Sequence, residues 1–216
     1  MKKLDKVFEK FHASYFGIIG VAIFLIGAIP AMLVHTSFNF IDVFISDLAV
    51  PPHPILPGGN DLAIFFVICW VITGIFMIIF ILGFTKYLQE KGASNKSTGI
   101  ACILGLISAL GLLLIALFNV RDFYVIHTIA QYIFFFPGII YLFGYAYIEY
   151  KLSEFPLWQA LLNVIVAFFF LLYLILFIIN RIEPTLLAEA KAISEWLFLF
   201  ANLFWFVETG LFILKK

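Results

Sequence analysis

Charged residues are scarce in this sequence. Only 12% of its 216 residues are Asp, Glu, Lys or Arg, whereas a soluble domain carries about 25%. This scarcity excludes an ordinary soluble domain, and 64% of the residues are hydrophobic. The 13 basic and 13 acidic residues balance, so no excess of positive charge indicates nucleic acid as a partner. The composition therefore predicts an integral membrane protein.

Cysteine is also scarce, and the common catalytic signatures are missing. Cys69 and Cys102 lie in apolar runs that place them near opposite ends of the membrane, so we expect no disulfide between them. No Cys-x-x-Cys or His-Glu-x-x-His pattern, P-loop, dinucleotide fingerprint or nucleophile elbow occurs. Function must therefore be inferred from where the few polar residues fall.

Long apolar runs dominate what is present. Each run is close to the roughly 20 residues that a helix needs to cross the hydrocarbon core of a bilayer. The six runs cover about residues 15–34, 62–84, 99–118, 125–147, 157–179 and 194–214. They predict an all-α bundle of six transmembrane helices that forms a single domain over 13–216. Residues 1–12 combine lysines with an apolar stripe, which is typical of an amphipathic segment lying in the membrane interface.

The distribution of basic residues predicts the orientation of the bundle. With the N-terminus inside, ten of the 13 Lys and Arg residues fall on the cytoplasmic side and three on the other side. The positive-inside rule therefore predicts a multi-pass protein of the cell membrane with both termini cytoplasmic.

The segment from Asn119 to Gln131 is a polar interruption between two apolar runs. It begins the fourth helix, where Tyr124, His127 and Gln131 have the spacing i, i+3 and i+7 and so share one helix face. The predicted topology brings other polar residues to the same outer level. The segment 40–50, between the first two runs, is expected to form a half-helix on the bilayer edge.

These residue types predict an outward-facing polar pocket. His127 would act as a base, with the carboxylates orienting it or a divalent metal. The candidate catalytic residues are His127, Asp122 and Glu195. The candidate ligand-binding residues are Ser46, Asp47, Arg121, Tyr124 and Gln131, and the candidate metal ligands are His127, Asp122 and Asp47. Two structural alternatives stay open: Ser46 and Asp47 could cap a helix, and the whole cluster could be a polar plug that fixes helix packing.

Two polar residues lie deeper in the membrane, on the cytoplasmic side. Glu208 in the sixth run and Asn163 in the fifth lie at comparable depths. Since an isolated polar group in hydrocarbon is costly, we expect these two side chains to hydrogen-bond to each other.

Three short motifs resemble a known family. They are Ile45-Ser46-Asp47-Leu48, Phe118-Asn119 followed by Arg121-Asp122 and His127, and Glu195-Trp196. Together they are similar to the domain of unknown function 998 family, related to DRAM and Sfk-type six-span membrane proteins. The resemblance implies a six-span layout and an association with lipid remodelling or lipid organisation.

Two functions of different classes follow. The first is a lipid-handling protein that uses the outward-facing pocket and, if it is an enzyme, acts as a lipid hydrolase or transferase with a His and carboxylate site. The alternative is a non-catalytic accessory subunit whose Phe-rich surfaces pack against partners in a larger membrane complex. The expected partners are therefore membrane lipids and, in the second case, other membrane proteins. A small proton-coupled carrier would need polar residues continuous from Asp122 to Glu208, and the sequence contains no inverted repeat.

Overall fold

All regular secondary structure in the residues that the structure describes is helical. The computed structural model describes residue 8 and residues 12–35, 38–53, 59–183 and 186–215. Six helices in these ranges are long and apolar enough to cross a membrane, which confirms the predicted all-α fold. They are α1 (Ala13–Val34), α2 (Ala63–Glu90), α3 (Asn95–Leu117), α4 (Tyr124–Lys151), α5 (Leu157–Ile182) and α6 (Ala188–Leu214).

Several helices extend beyond the apolar runs. The link predicted from Lys86 onwards is helical as far as Glu90, and these two residues form an i,i+4 pair at 4.0 Å. Similarly, α4 continues to Lys151 and α6 already begins at Ala188. An apolar run marks only the part of a helix that lies in hydrocarbon, and a helix continues into the interface because its backbone hydrogen bonds are internal.

Two predictions concern residues that the structure covers only in part. Apart from Phe8 and His12, the predicted interfacial segment 1–12 lies outside the described residues. In the proline-rich connection, Pro51 and Pro52 are not helical, as expected, whereas residues 54–58 lie outside the described ranges.

The six helices form a closed ring around an aromatic interior. Each helix packs against its neighbours in the chain, and α6 also packs against α1. Trp205 of α6 is fully buried, with its ring centroid 5.9 Å from that of Phe80, 6.3 Å from Phe84 and 6.4 Å from Tyr145. These rings pack the interior of the bundle next to the turn of α6 that carries Glu208.

Helices α3 and α4 pack closely at Gly111. A Cβ atom on Gly111 would lie 2.5 Å from the backbone nitrogen of Phe134, so only glycine fits at that position. Nearby, Ser108 donates its hydroxyl to the carbonyl oxygen of Phe134 at 2.7 Å. This bond lies one turn before Pro137. Because proline has no backbone N–H, side chains near it in a membrane helix help to satisfy the backbone carbonyl oxygens. Helix α4 continues through Pro137 without a break.

The two ends of the bundle are distinct. One end, the site end, carries the 40–50 segment and the α3–α4 and α5–α6 connections. The other end, the terminal end, carries the start of α1, the end of α6 and the α2–α3 and α4–α5 connections.

Candidate functional site

A short 3-10 helix, Ile45–Ala49, closes the site end. Asp47 caps it by accepting a hydrogen bond from the backbone N–H of Phe44 at 3.0 Å. Leu48 is fully buried, and the helix packs against α1, α2 and α3. Of the half-helix predicted over 40–50, lying on or dipping into the bilayer edge, only this short 3-10 helix forms, and its apolar side chains fill the end of the ring. The same burial raises the pKa of the Asp47 carboxyl, and the hydrogen bond from Phe44 opposes the rise only in part.

Residues of α6 hold the 3-10 helix in place. The carboxylate of Glu195, which is only 3% exposed, accepts hydrogen bonds from the backbone N–H groups of Ile45 and Ser46. Next to it, the indole Nε1 of Trp196 donates to the carbonyl oxygen of Val43 at 2.8 Å. Glu195 thus satisfies amides at the start of a helix, where they have no partner within the helix.

A cavity of about 320 Å³ lies beside the 3-10 helix, among α4, α5 and α6. We call it the end pocket. Five residues predicted from the sequence line it, namely Ser46, Asp47, Tyr124, His127 and Gln131. Tyr173, Asn180, Arg181 and Lys191 join them. The pocket reaches the protein surface, since Tyr124 is 53% exposed.

His127 is buried with one ring nitrogen engaged. Its Nδ1 donates to the carbonyl oxygen of Phe118 at 2.7 Å, because a carbonyl oxygen can only accept. The Nε2 atom is buried and has no hydrogen-bond partner among the described residues. In the neutral ring of His127, Nε2 is therefore an acceptor that a ligand could engage. One turn further along α4, Gln131 donates to the hydroxyl of Tyr173 at 3.2 Å.

Arg181 and Lys191 give the end pocket its positive charge. The guanidinium carbon of Arg181 lies 4.4 Å from the ring centroid of Tyr124 and 4.8 Å from that of Phe177. The ammonium of Lys191 lies 4.6 Å from the ring centroid of Phe44. Neither cation forms an ion pair with a carboxylate in the part of the chain that the structure describes. Aromatic faces hold both charges by cation–π attraction. Each cation also donates a hydrogen bond to a neutral side chain, Arg181 to the Thr128 hydroxyl and Lys191 to the Asn180 amide oxygen.

The sequence reasoning did not select these two cations. Tyr173, Phe177 and Arg181 repeat every four residues on α5, and Lys191 precedes Glu195 by four on α6. This spacing puts each cation on the same helix face as a residue of the site. The fifth apolar run was predicted to end at about 179 and the sixth to begin at about 194, so both cations fell in the connection between the two predicted helices.

Asp122 and Arg121 lie outside the end pocket. Asp122 is exposed and accepts a hydrogen bond from Asn119 at 2.9 Å, in the turn before α4. Arg121 donates to the carbonyl oxygen of Pro51 at 3.0 Å and lines a neighbouring cavity of about 200 Å³ together with Asp47.

The three candidate catalytic residues thus have separate surroundings. His127 lines the end pocket and Asp122 is in an exposed turn, whereas Glu195 lines an enclosed cavity in the centre of the ring. Nor do the described residues include a group of three or more His, Cys, Asp or Glu side chains placed to hold a metal ion, so His127, Asp122 and Asp47 do not form one.

Buried polar side chains also lie at the terminal end, apart from the end pocket. Asn163 donates to the carboxylate of Glu149 at 2.8 Å, whereas Glu208 is hydrogen-bonded to Gln159. The predicted bond between Asn163 and Glu208 is therefore wrong. Glu149 lies beyond the apolar run predicted over 125–147, but it is fully buried near the end of α4 because that helix extends further than the run.

Six apolar helices around an aromatic core, closed at one end by a 3-10 helix beside a polar pocket, define a multi-pass membrane protein. A family model described as "Protein of unknown function (DUF998)" matches residues 18–211. The chain belongs to that family, as its motifs indicated. No curated protein and no solved structure matches it.

Proposed function

We propose that the chain binds a membrane lipid whose anionic head group occupies the end pocket. The observation that carries this proposal is the pair of cations, Arg181 and Lys191, which outnumber the single carboxylate of the pocket, Asp47, and form no ion pair in the described ranges. A guanidinium and an ammonium together suit a phosphate, which offers several acceptor oxygens. The volume of about 320 Å³ is within the range of small-molecule sites.

The surroundings of the pocket favour an amphipathic ligand over a free anion. Next to the two cations, Ile182 is 80% exposed and Leu187 is 45% exposed. Tyr124, which is also exposed, lines the pocket with a ring that can contact both a head group and an acyl chain. A lipid can therefore place its charge between Arg181 and Lys191 while its chains stay on apolar surface.

Binding fits the geometry better than catalysis. His127 has an orienting partner in the Phe118 carbonyl and an Nε2 atom that is free among the described residues. The predicted carboxylates, however, are engaged elsewhere: Asp122 is hydrogen-bonded within its own turn and Glu195 to the 3-10 helix. General acid–base catalysis needs its groups within hydrogen-bond reach of one substrate. A lipid hydrolase or transferase would require substrate to bring Asp122 or Glu195 to His127, so we assign His127 to ligand contact through Nε2.

Native mass spectrometry with two lipids of equal chain length tests the proposal. Dioleoyl phosphatidic acid is offered to the detergent-solubilised protein in competition with dioleoylglycerol, which lacks the phosphate. We expect wild type to retain the phosphatidic acid, and Arg181→Gln and Lys191→Gln to weaken its binding roughly 10- to 100-fold each. That range corresponds to about 1.5 to 3 kcal/mol for a hydrogen bond to a charged group.

Lys96→Gln is the matched control because it removes an exposed lysine near the start of α3 at the terminal end. Equal retention of phosphatidic acid by wild type and both pocket variants would contradict the proposal. If wild type binds neither lipid but keeps a stoichiometric protein partner, the accessory-subunit function replaces it.

A further inference from the structure

A smaller cavity is enclosed in the centre of the helix ring. It measures about 30 Å³, enough for one or two water-sized particles. Its walls are mostly apolar, but four polar side chains line it, namely Thr73, Gln131, Glu195 and Asn202. They come from α2, α4 and α6, so three helices contribute polar side chains to the same cavity.

The polar atoms of this cavity include two oxygens without donors. Oε2 of Glu195 and Oδ1 of Asn202 are buried and have no hydrogen-bond partner among the described residues. The two side chains are only 3% and 4% exposed. The hydroxyl of Thr73 points its hydrogen at the carbonyl oxygens of Cys69 and Gly20, so it too offers lone pairs. Native proteins rarely leave such buried oxygens without a partner, and a bound ion or water usually satisfies those that no protein group reaches.

Lys191, four residues before Glu195 on the same helix, attracts the Glu195 carboxylate but forms no ion pair with it among the described residues. Its ammonium lies within 3.4 Å of the amide oxygen of Asn180 and over the ring of Phe44, both at the end pocket. A charge at this depth in a membrane protein is costly unless a partner compensates it. The unpartnered carboxylate oxygen of Glu195 therefore indicates a small cation in the cavity.

We propose that this cavity binds one Na⁺ ion, coordinated by the Glu195 carboxylate, the Asn202 amide oxygen and the Thr73 hydroxyl. Oxygen ligands suit hard cations, and a single carboxylate balances a single positive charge. The amide of Gln131, which lines both this cavity and the end pocket, separates the ion from the pocket.

Sodium binding would also stabilise the closure of the site end. Glu195 is both an ion ligand and the acceptor for the backbone N–H groups of Ile45 and Ser46. An ion that fixes its carboxylate also fixes the 3-10 helix. The inference does not depend on lipid binding, and its test uses protein without added lipid.

Equilibrium binding of radioactive Na⁺ to purified protein in detergent, with choline as the replacement cation, tests the proposal. We expect saturable binding in wild type, loss of binding in Glu195→Gln, and affinity roughly tenfold lower in Asn202→Ala. Glu189→Gln, an exposed glutamate in the first turn of the same helix, should bind like wild type. The melting temperature of wild type should also rise with NaCl but not with choline chloride.

Two results would overturn the sodium site. The first is the absence of saturable Na⁺ binding and of Na⁺-dependent stabilisation in folded wild type, which would mean that water or a proton satisfies Glu195. The second is unchanged Na⁺ affinity in folded Asn202→Ala and Glu195→Gln. If Glu195→Gln does not fold, the Na⁺ affinity of Asn202→Ala and the dependence of the wild-type melting temperature on NaCl still decide whether the sodium site exists. Neither result bears on whether the end pocket binds phosphatidic acid.

Discussion

The carboxylate of Glu149 is fully buried at the terminal end of the bundle. One of its oxygens accepts a hydrogen bond from Asn163, and the other has no partner among the described residues. Removing one partner of a buried pair leaves the other desolvated, which costs about 1 to 3 kcal/mol or more for a charged group. This pair is therefore a sensitive point for the packing of α4 against α5.

A double-mutant cycle distinguishes the observed partner of Asn163 from the one that sequence reasoning chose. We expect Asn163→Ala and Glu149→Ala to couple by about 0.5 to 3 kcal/mol in the free energy of unfolding in detergent. The coupling between Asn163→Ala and Glu208→Ala should be clearly smaller, since Glu208 is hydrogen-bonded to Gln159. A larger coupling with Glu208 would contradict the structure and restore the sequence-based pairing.

At the level of helices, the approach of α3 to α4 depends on one glycine. On α3, Ala101, Gly105 and Ala109 lie four residues apart, a spacing of small residues that lets another helix approach closely. Among the glycines of α3, Gly111 is the one at which a Cβ atom would come closest to α4, against the backbone of Phe134. A side chain there meets backbone atoms, which cannot rotate away as a side chain can.

Gly111→Ala should therefore destabilise the fold. We expect a loss of about 1 to 3 kcal/mol in the free energy of unfolding, because the new Cβ atom forces α3 and α4 apart. Gly99→Ala is the control on the same helix, since a Cβ atom there would meet nothing within 4 Å. It should leave stability unchanged or raise it by up to about 1 kcal/mol through helix propensity. Equal effects at the two positions would show that space at Gly111 does not matter.

For the whole molecule, the two ends differ in charge as well as in structure. Ten of the 13 basic residues belong to the segments at the terminal end, and three belong to the site end. The positive-inside rule predicts that the terminal end is cytoplasmic and that the end pocket faces the other side.

Cysteine labelling can test that orientation, because both native cysteines are free and buried. Asp61→Cys places an exposed thiol at the site end, and Ser94→Cys places one at the terminal end. We expect a membrane-impermeant maleimide to label Asp61→Cys in intact cells and Ser94→Cys only after permeabilisation. The opposite pattern would show that the bundle is inserted the other way round.

The fold could be predicted to a large extent because it follows from local composition. A run of about 20 apolar residues must form a helix in a membrane, whatever its neighbours are. The gathering of Ser46, Asp47, His127 and Gln131 was also predictable, since helix ends on one side of a membrane lie at one level. Arg181 and Lys191 were missed because hydropathy does not show where a helix ends once it leaves the hydrocarbon.

The sequence by itself determined that this is a six-helix membrane protein with polar residues collected at one end. Only the tertiary structure decided which of those residues meet. Glu195 accepts hydrogen bonds from the 3-10 helix, and Asp122 accepts one within an exposed turn. Asn163 donates to the carboxylate of Glu149. The physical reason is that helical periodicity determines a face and a depth for each side chain, whereas hydrogen-bond partners depend on how six helices rotate and pack against one another.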